Sequence, residues 1–394
     1  MLFYTLMLRN QPVMELKFDK GHVFDIVRIY NESCIPLHLQ NHLDTEQIDK
    51  WMESRLVPHS RQMYTASDRR LKQSVRMGIR AIAFHNHMLS LSDQYWLRAE
   101  NINTEWEDVN FFTNPFDYDV GNILFDEDKT APSISLRTPD TVTNGICLKS
   151  WRMSKNGRCL IKAGMEKKGQ EPVNEVAVSN FLSANHFPHL IPAKYSLTKI
   201  RGRLCSVSEN FLTERTELVT AYSVFHYEDK PDGKTSYSHL RDMCRKLEIP
   251  DADRFMDAML LFDNVIANKD RHMGNFGFLR DTKTMKFLGS APLFDSGSSL
   301  WFDEYLLGPG GSVMDEIAKP FGKLHRDNLK EIHDISFIRK MDIRELKRAL
   351  KDAAGCAGFD KTQIGYICDN VESRYERIYG EIEKRQEIEI EEER

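Results

Sequence analysis

Polar and apolar residues alternate over residues 1 to about 30. Met14, Leu16 and Phe18 are separated by charged or polar neighbours, Asp19-Lys20-Gly21 offers a turn, and Phe24 and Ile26 resume the pattern. That period of two predicts antiparallel strands. The period then lengthens. Ile48, Trp51, Met52 and Leu56 mark one helix face, with Asp44 and Gln47 at capping-box spacing before it and Pro58 after it. A second helical stretch is expected over 67–84. Residues 101–135 are rich in Asn, Asp, Gly and Pro and read as a solvated, loop-rich linker.

From 137 onward the pattern is again β-rich. Residues 146–151 and 158–162 form the two arms of an expected hairpin turning at Asn156-Gly157. A helix is expected over 172–185, with Glu175 in its first turn. Residues 204–208 read as a further strand, followed by Glu209-Asn210-Phe211. Over 253–267 the residues Phe255, Met256, Met259, Leu260, Phe262 and Ile266 recur at helical spacing, and Asp251 or Asp253 can cap the start. A short hairpin over 275–288 follows. Two more amphipathic helices, 343–354 and 364–382, lead to a glutamate-rich end read as a frayed, solvated helix.

Composition narrows the class. A chain of 394 residues can hold two or three domains, and 41% hydrophobic with 29% charged residues is ordinary for a globular protein. The net charge of -5 argues against a general nucleic-acid binder. No apolar run approaches the ~20 residues that span a bilayer, so no membrane partner is expected. The apolar start reaches Arg9-Asn10 without a basic leader and reads as a strand rather than a signal peptide. The seven cysteines are dispersed without a C-x-x-C pair, which suits reduced thiols in the cytoplasm. His85-Asn86-His87 reads as helix-surface histidines rather than a metal pair.

The chemistry concentrates after the 253–267 helix. Asn-Lys-Asp-Arg-His-Met-Gly-Asn runs from Asn268 to Asn275, and Asp295 follows on an Asp-Ser-Gly turn bent at Gly297. Phosphoryl transfer needs positioning and charge neutralisation. Asp270 is placed to orient an attacking hydroxyl, while Asn275 and Asp295 offer oxygen ligands of the kind Mg2+ takes. Upstream, Lys162 ends an apolar strand and suits a cleft. Glu175 either favours its helix N-terminus or orients Lys162 toward phosphate. Glu209 to Phe211 fits a hinge that holds an adenine ring, and equally a strand end closed by a buried Phe.

In this order, Lys162, Glu175, the segment from Glu209 to Phe211, Asp270-Arg-His-x-x-Asn275 and Asp295-Ser-Gly297, the chain resembles the HipA-like kinases. These are bacterial members of the protein-kinase and phosphoinositide-kinase fold. The resemblance covers residues 130–350 and is most specific over 255–300. It implies an α+β, bilobal kinase-like fold with an antiparallel N-lobe sheet and a mainly helical C-lobe, preceded by a small α/β N-terminal region. The divisions expected are 1–125, 126–212 for the N-lobe, 213–380 for the C-lobe, and the acidic tail 381–394.

The resemblance further implies an ATP- and Mg2+-dependent serine/threonine kinase acting on a protein of unknown identity, itself included. Asp270 would face the acceptor hydroxyl, with His272 as a second-rank catalytic residue. Asn275 and Asp295 would hold the metal, and Lys162, paired with Glu175, the α- and β-phosphates. No G-x-G-x-x-G precedes Lys162. Residues 138–145, with Thr141, Thr143, Asn144 and Gly145, are expected to cradle the phosphates instead, with Thr141 and Thr143 as autophosphorylation sites. Residues 1–120 do not obviously match the best-known members, so no toxin–antitoxin role or DNA-binding partner is inferred. A lipid or small-molecule kinase and a catalytically silent nucleotide-binding module are the alternatives.

Overall fold

A computed structural model describes residues 1–58, 79–125, 135–143, 145, 147–164, 169–308, 316–322, 324–334, 341–355 and 360–392. The N-terminal strands β1 (Leu2–Leu8), β2 (Gln11–Asp19), β3 (His22–Ile29) and β4 (Tyr95–Ala99) form one antiparallel sheet in the order β3-β2-β1-β4. Leu6, Leu8, Met14, Leu16 and Phe18 point from it into a core shared with Ile48, Trp51 and Met52 of the Thr45–Arg55 helix. Asp44 caps that helix by accepting from the Gln47 N–H at 2.7 Å. Of the helix expected over 67–84, residues 67–78 lie outside the described residues, and Ile79–His85 is helical.

The second sheet carries β5 (Lys149–Ser154), β6 (Gly157–Ala163), β7 (Tyr195–Ile200) and β8 (Arg203–Glu209) in the antiparallel order β5-β6-β8-β7. Its hairpin differs from expectation. The turn residues are Lys155 and Asn156, and Gly157, at φ +113°, already opens β6 opposite Ser154. The pairing therefore slides by two residues, and Lys162 stands opposite Lys149 rather than Trp151. A third sheet, β11-β10-β9, joins β9 (Thr216–Thr220), β10 (Gly277–Asp281) and β11 (Phe287–Ser290).

The largest core holds the helical C-lobe together. The Ala252–Val265 helix gives it Phe255, Met259 and Phe262, and the Ile343–Gly355 and Lys361–Glu392 helices add Leu346, Leu350, Ile364 and Val371. Each such side chain contributes roughly 1.5–3 kcal/mol when fully buried. The Gln170–Asn185 helix joins the same core through Val173, Ala177 and Phe181, so the helix below the N-lobe sheet is packed as part of the C-lobe. It begins before residue 172, which puts Glu175 in its second turn, away from the terminal dipole. Asp251 is the cap position of the Ala252–Val265 helix but makes no capping bond. Asp253 pairs instead with Arg241 and Arg245.

Residues 101–125 are not a solvated linker. Trp106, Phe111, Phe112 and Phe116 are buried in a cluster with Trp96, Trp151 and Leu212. This cluster fastens the N-terminal region to β5 and to the chain after β8. Gln94, wholly buried, donates to the Thr213 and Thr216 carbonyls at 3.0 and 2.8 Å. The glutamate-rich end continues the Lys361–Glu392 helix; residues 393–394 lie outside the described residues. Among the described residues no helix is long and apolar enough to cross a membrane.

Candidate active site

Lys162 and Lys149 are directly opposed on neighbouring antiparallel strands, and opposed residues share a sheet face. Lys162 Nζ lies 2.7 Å from Glu175 Oε1 and also bonds Asp295 Oδ1. Glu175 Oε2 accepts from the Ser206 hydroxyl of β8. Burial pulls the Lys162 ammonium toward the neutral form, but Asp295 and Glu175 outweigh it and hold the charge firmly. Burial also opposes ionisation of Asp295, yet Lys162 and Lys149 keep its carboxyl well below the usual carboxylate range. Glu175 responds differently: burial is the larger influence and pushes its carboxyl up.

The Asp295 turn is held from the helix side. Asn174 Nδ2 donates to the Gly297 and Ser299 carbonyls at 3.0 and 2.6 Å, and Gln170 Nε2 to Leu300 O at 2.8 Å. Gly297 was expected to provide the bend, but the left-handed residue is Asp295 itself, at φ +57°. The glycine answers a different need. A Cβ there would sit 3.2 Å from Glu171 Cβ and 3.3 Å from its carbonyl, a tight fit that glycine relieves on the helix side.

Arg271 organises the other half. Its side chain is fully buried and pairs with Asp263, Nε 2.8 Å from Oδ2 and Nη2 3.1 Å from Oδ1. Nη1 donates to the Asn275 carbonyl at 3.0 Å and to the Phe294 carbonyl, and Nη2 to Ser296 Oγ at 2.9 Å. One guanidinium thus ties the 268–275 loop to the Asp295 turn. Asn275 Nδ2 donates to the Asp270 carbonyl at 3.1 Å, and Asn268 Oδ1 accepts from the Asp270 N–H at 3.2 Å. The Asp270 carboxylate is half exposed, with Oδ1 2.6 Å from Lys319 Nζ. His272 Nδ1 accepts from the Gly274 N–H at 3.1 Å. Burial lowers the affinity of its ring for a proton, although Asp270 and Asp295 oppose that.

The structure therefore brings Lys162, Glu175, Asp270, His272, Asn275 and Asp295 together. Phe211 is near them, its ring centroid 5.9 Å from that of Phe294. Glu209 points elsewhere: its carboxylate accepts from Asn156 Nδ2 at 2.8 Å on the exposed hairpin turn, and β6 Cys159, not Lys162, is its strand partner. Gly145 lies beside Lys149, where an added Cβ would stand 2.5 Å from Nζ. Asn144 lies outside the described residues.

Thr141 and Thr143 depart from expectation. Residues Pro139–Thr141 form a 3-10 turn, and both threonines are buried. Thr143 Oγ1 donates to Pro139 O at 3.0 Å, while Val142 joins the N-terminal core and the Thr141 carbonyl accepts from the Val57 N–H at 3.2 Å. Asp140 locks the turn to β5 through the Trp151 N–H and the Ser150 hydroxyl. The hydroxyls are thus turned into the fold, neither an open phosphate cradle nor a reachable acceptor. Sequence reasoning assigned no role to Lys149, Arg271, Asn174 or Lys319. For Lys149 the expected hairpin register pointed elsewhere, because a turn at Asn156-Gly157 sets Trp151 opposite Lys162.

No protein-family model and no curated protein matches the sequence. Solved structures do. The chain is similar to the proinflammatory kinase CtkA of Helicobacter pylori at 16% identity, covering 59% of this chain and 92% of that one with a TM-score of 0.42. It is also similar to HipA from the Shewanella oneidensis MR-1 toxin–antitoxin complex with HipB and operator DNA. There the identity is 12%, the coverage 95% of this chain and 96% of that one, and the TM-score 0.50. At these identities the likeness is one of fold: the chain has the kinase-like fold of HipA. Coverage of 95% of this chain takes in most of residues 1–120, which the sequence alone did not obviously match to the best-known members.

Proposed function

We propose that this chain is an ATP- and Mg2+-dependent phosphotransferase that moves the γ-phosphoryl group to a serine or threonine hydroxyl of a protein. The observation that carries this reading is the charged Lys162 held between Glu175 and Asp295, beside a loop on which Arg271 holds Asn275 and Asn275 in turn holds the Asp270 carbonyl. The donor set suits magnesium, because Asn275 and Asp295 supply hard oxygen ligands from two segments fastened to one guanidinium. When bound, the metal would neutralise phosphate charge.

The chain's own residues account for the remaining requirements. Lys162 contacts the phosphates, and Glu175 and Ser206 fix its direction. Asp270 accepts the proton of the acceptor hydroxyl as that oxygen attacks phosphorus. Phe211 and Phe294 form an apolar wall beside the hinge, a surface suited to an adenine ring. Retention of every charged group speaks against a silent module. The free thiols of Cys34, Cys159, Cys244 and Cys368 fit the proposed cytoplasmic setting.

The test uses purified protein, magnesium and ATP labelled on its γ-phosphate, with Asp270→Ala in parallel and phosphosites mapped by mass spectrometry. Label transferred by the wild type alone supports the reading. Equal absence of label in both proteins, together with no thermal stabilisation by magnesium-ATP, would overturn it.

A further inference from the structure

We propose that Lys319 is a catalytic residue of this site, its ammonium neutralising the γ-phosphoryl group during transfer while Asp270 holds it in place. This role rests on the kinase reading given above and extends it to a segment distant in sequence.

Three observations point this way. First, Lys319 Nζ is 2.6 Å from Asp270 Oδ1, with the two side chains 52% and 43% exposed. An ion pair this exposed adds only about 0–1 kcal/mol, so stability is a weak reason to place a lysine on the catalytic carboxylate. Second, the lysine is fixed at its root and half exposed at its tip. Ala318 is buried, and the buried Asn328 donates to Lys319 O at 3.1 Å and accepts from the Gly322 N–H at 2.6 Å. A four-carbon stem on a pinned backbone moves its charge a few ångströms without moving the chain. Third, the other described cations beside Asp270 are engaged, and Lys149 stands opposite Lys162 on the Asp295 side of the site. Lys162 is shared between Glu175 and Asp295, the guanidinium of Arg271 is spent on Asp263 and three loop groups, and Lys269 is paired with Asp303 and Glu304.

The geometry of transfer places Lys319 at the reacting phosphorus. An acceptor oxygen bonded to Asp270 sits ~3 Å from the carboxylate, and the phosphorus it attacks lies ~3–3.5 Å beyond. A cation already on Oδ1 is therefore within a small swing of the equatorial phosphoryl oxygens. In the step, the acceptor O–H proton passes to Asp270 and the acceptor oxygen bonds to phosphorus. The bond from phosphorus to the bridging oxygen breaks, and its electron pair leaves on ADP. Lys319 changes no covalent bond; it offsets charge that grows on the transferring group.

The test measures transfer to dephosphorylated casein and magnesium-ATP turnover for wild type, Lys319→Met, Lys319→Arg and Asp270→Ala, with thermal melting to establish folding. The expected result for Lys319→Met is a kcat lower by about 100-fold, a KM for ATP within about threefold of wild type, and partial recovery in Lys319→Arg. Wild-type turnover with an unchanged kcat in Lys319→Met overturns the role of Lys319 alone. So does a raised kcat, which would make the lysine a plug over Asp270. Turnover no higher in wild type than in Asp270→Ala overturns the kinase reading, and this role with it.

Discussion

Arg271 and Asp263 form a two-pronged ion pair inside the C-lobe, both side chains almost wholly buried. Removing one member of such a pair leaves an uncompensated charge, whereas replacing both with apolar groups is often neutral. Arg271→Met alone should therefore lower unfolding free energy by about 3–5 kcal/mol. The double variant Arg271→Met, Asp263→Leu should regain most of that in urea unfolding. Its turnover should stay low, because the carbonyls of Asn275 and Phe294 have lost their shared donor. A double variant with wild-type turnover would show that the clamp serves stability only.

Asp270 and Asp295 should separate in their effects. Asp270→Asn keeps the loop bonds made by its backbone, so magnesium-ATP affinity should hold within about threefold while turnover drops by about 10²–10⁴-fold. Asp295→Asn removes a proposed metal ligand and a partner of Lys162, and should weaken magnesium-ATP binding itself. Calorimetric titration of both variants decides the matter; equal losses of affinity would undo the assignment.

Lys149 is expected to act as a second phosphate-facing cation beside Lys162. Loss of one charge-assisted hydrogen bond is worth about 1.5–3 kcal/mol, so Lys149→Met should raise the KM for ATP roughly tenfold or more. An unchanged KM would restrict the residue to its contacts with Gly145 and Asp295.

His38 predicts a particular dependence on pH. Burial, reinforced by His226, lowers its proton affinity to a pKa of about 4. The unfolded chain keeps the ordinary value near 6.5, so it takes up the proton first as pH falls. Stability is then lost progressively from about pH 6.5 to about pH 4, by at most about 3 kcal/mol. Melting temperatures of His38→Gln should fall less steeply across that window than those of the wild type. His325, also lowered by burial, to about 3, will leave a residual slope. Identical slopes would remove His38 from the account.

The loop chemistry was legible because local signals agreed. The spacing of Phe255, Met259 and Phe262 fixed a long buried helix, and a cluster of turn residues had to follow it. Other features depended on contacts that no local pattern records. Asn156-Gly157 marked the hairpin, but moving the turn to Lys155-Asn156 changed the partner of Lys162. The polar residues of 101–125 concealed Trp106 and three phenylalanines that fill a core between regions. Thr141 and Thr143 looked like loop hydroxyls until Val57 and Val142 tied their turn to the N-terminal core. Lys319 meets Asp270 across 49 residues of chain, a relation that periodicity cannot express.

The Gln170–Asn185 helix leaves no latch to release. Its apolar side chains are packed among the C-lobe helices, Ser179 donates to Ala193 O at 2.7 Å, and Asn174 and Gln170 hold the carbonyls that follow Asp295. A kinase that switches by swinging such a helix must unseat Glu175 from its lysine; here that would tear open the main core. For the proposed phosphotransferase, separating Glu175 from Lys162 is coupled to loss of core packing around Val173, Ala177 and Phe181.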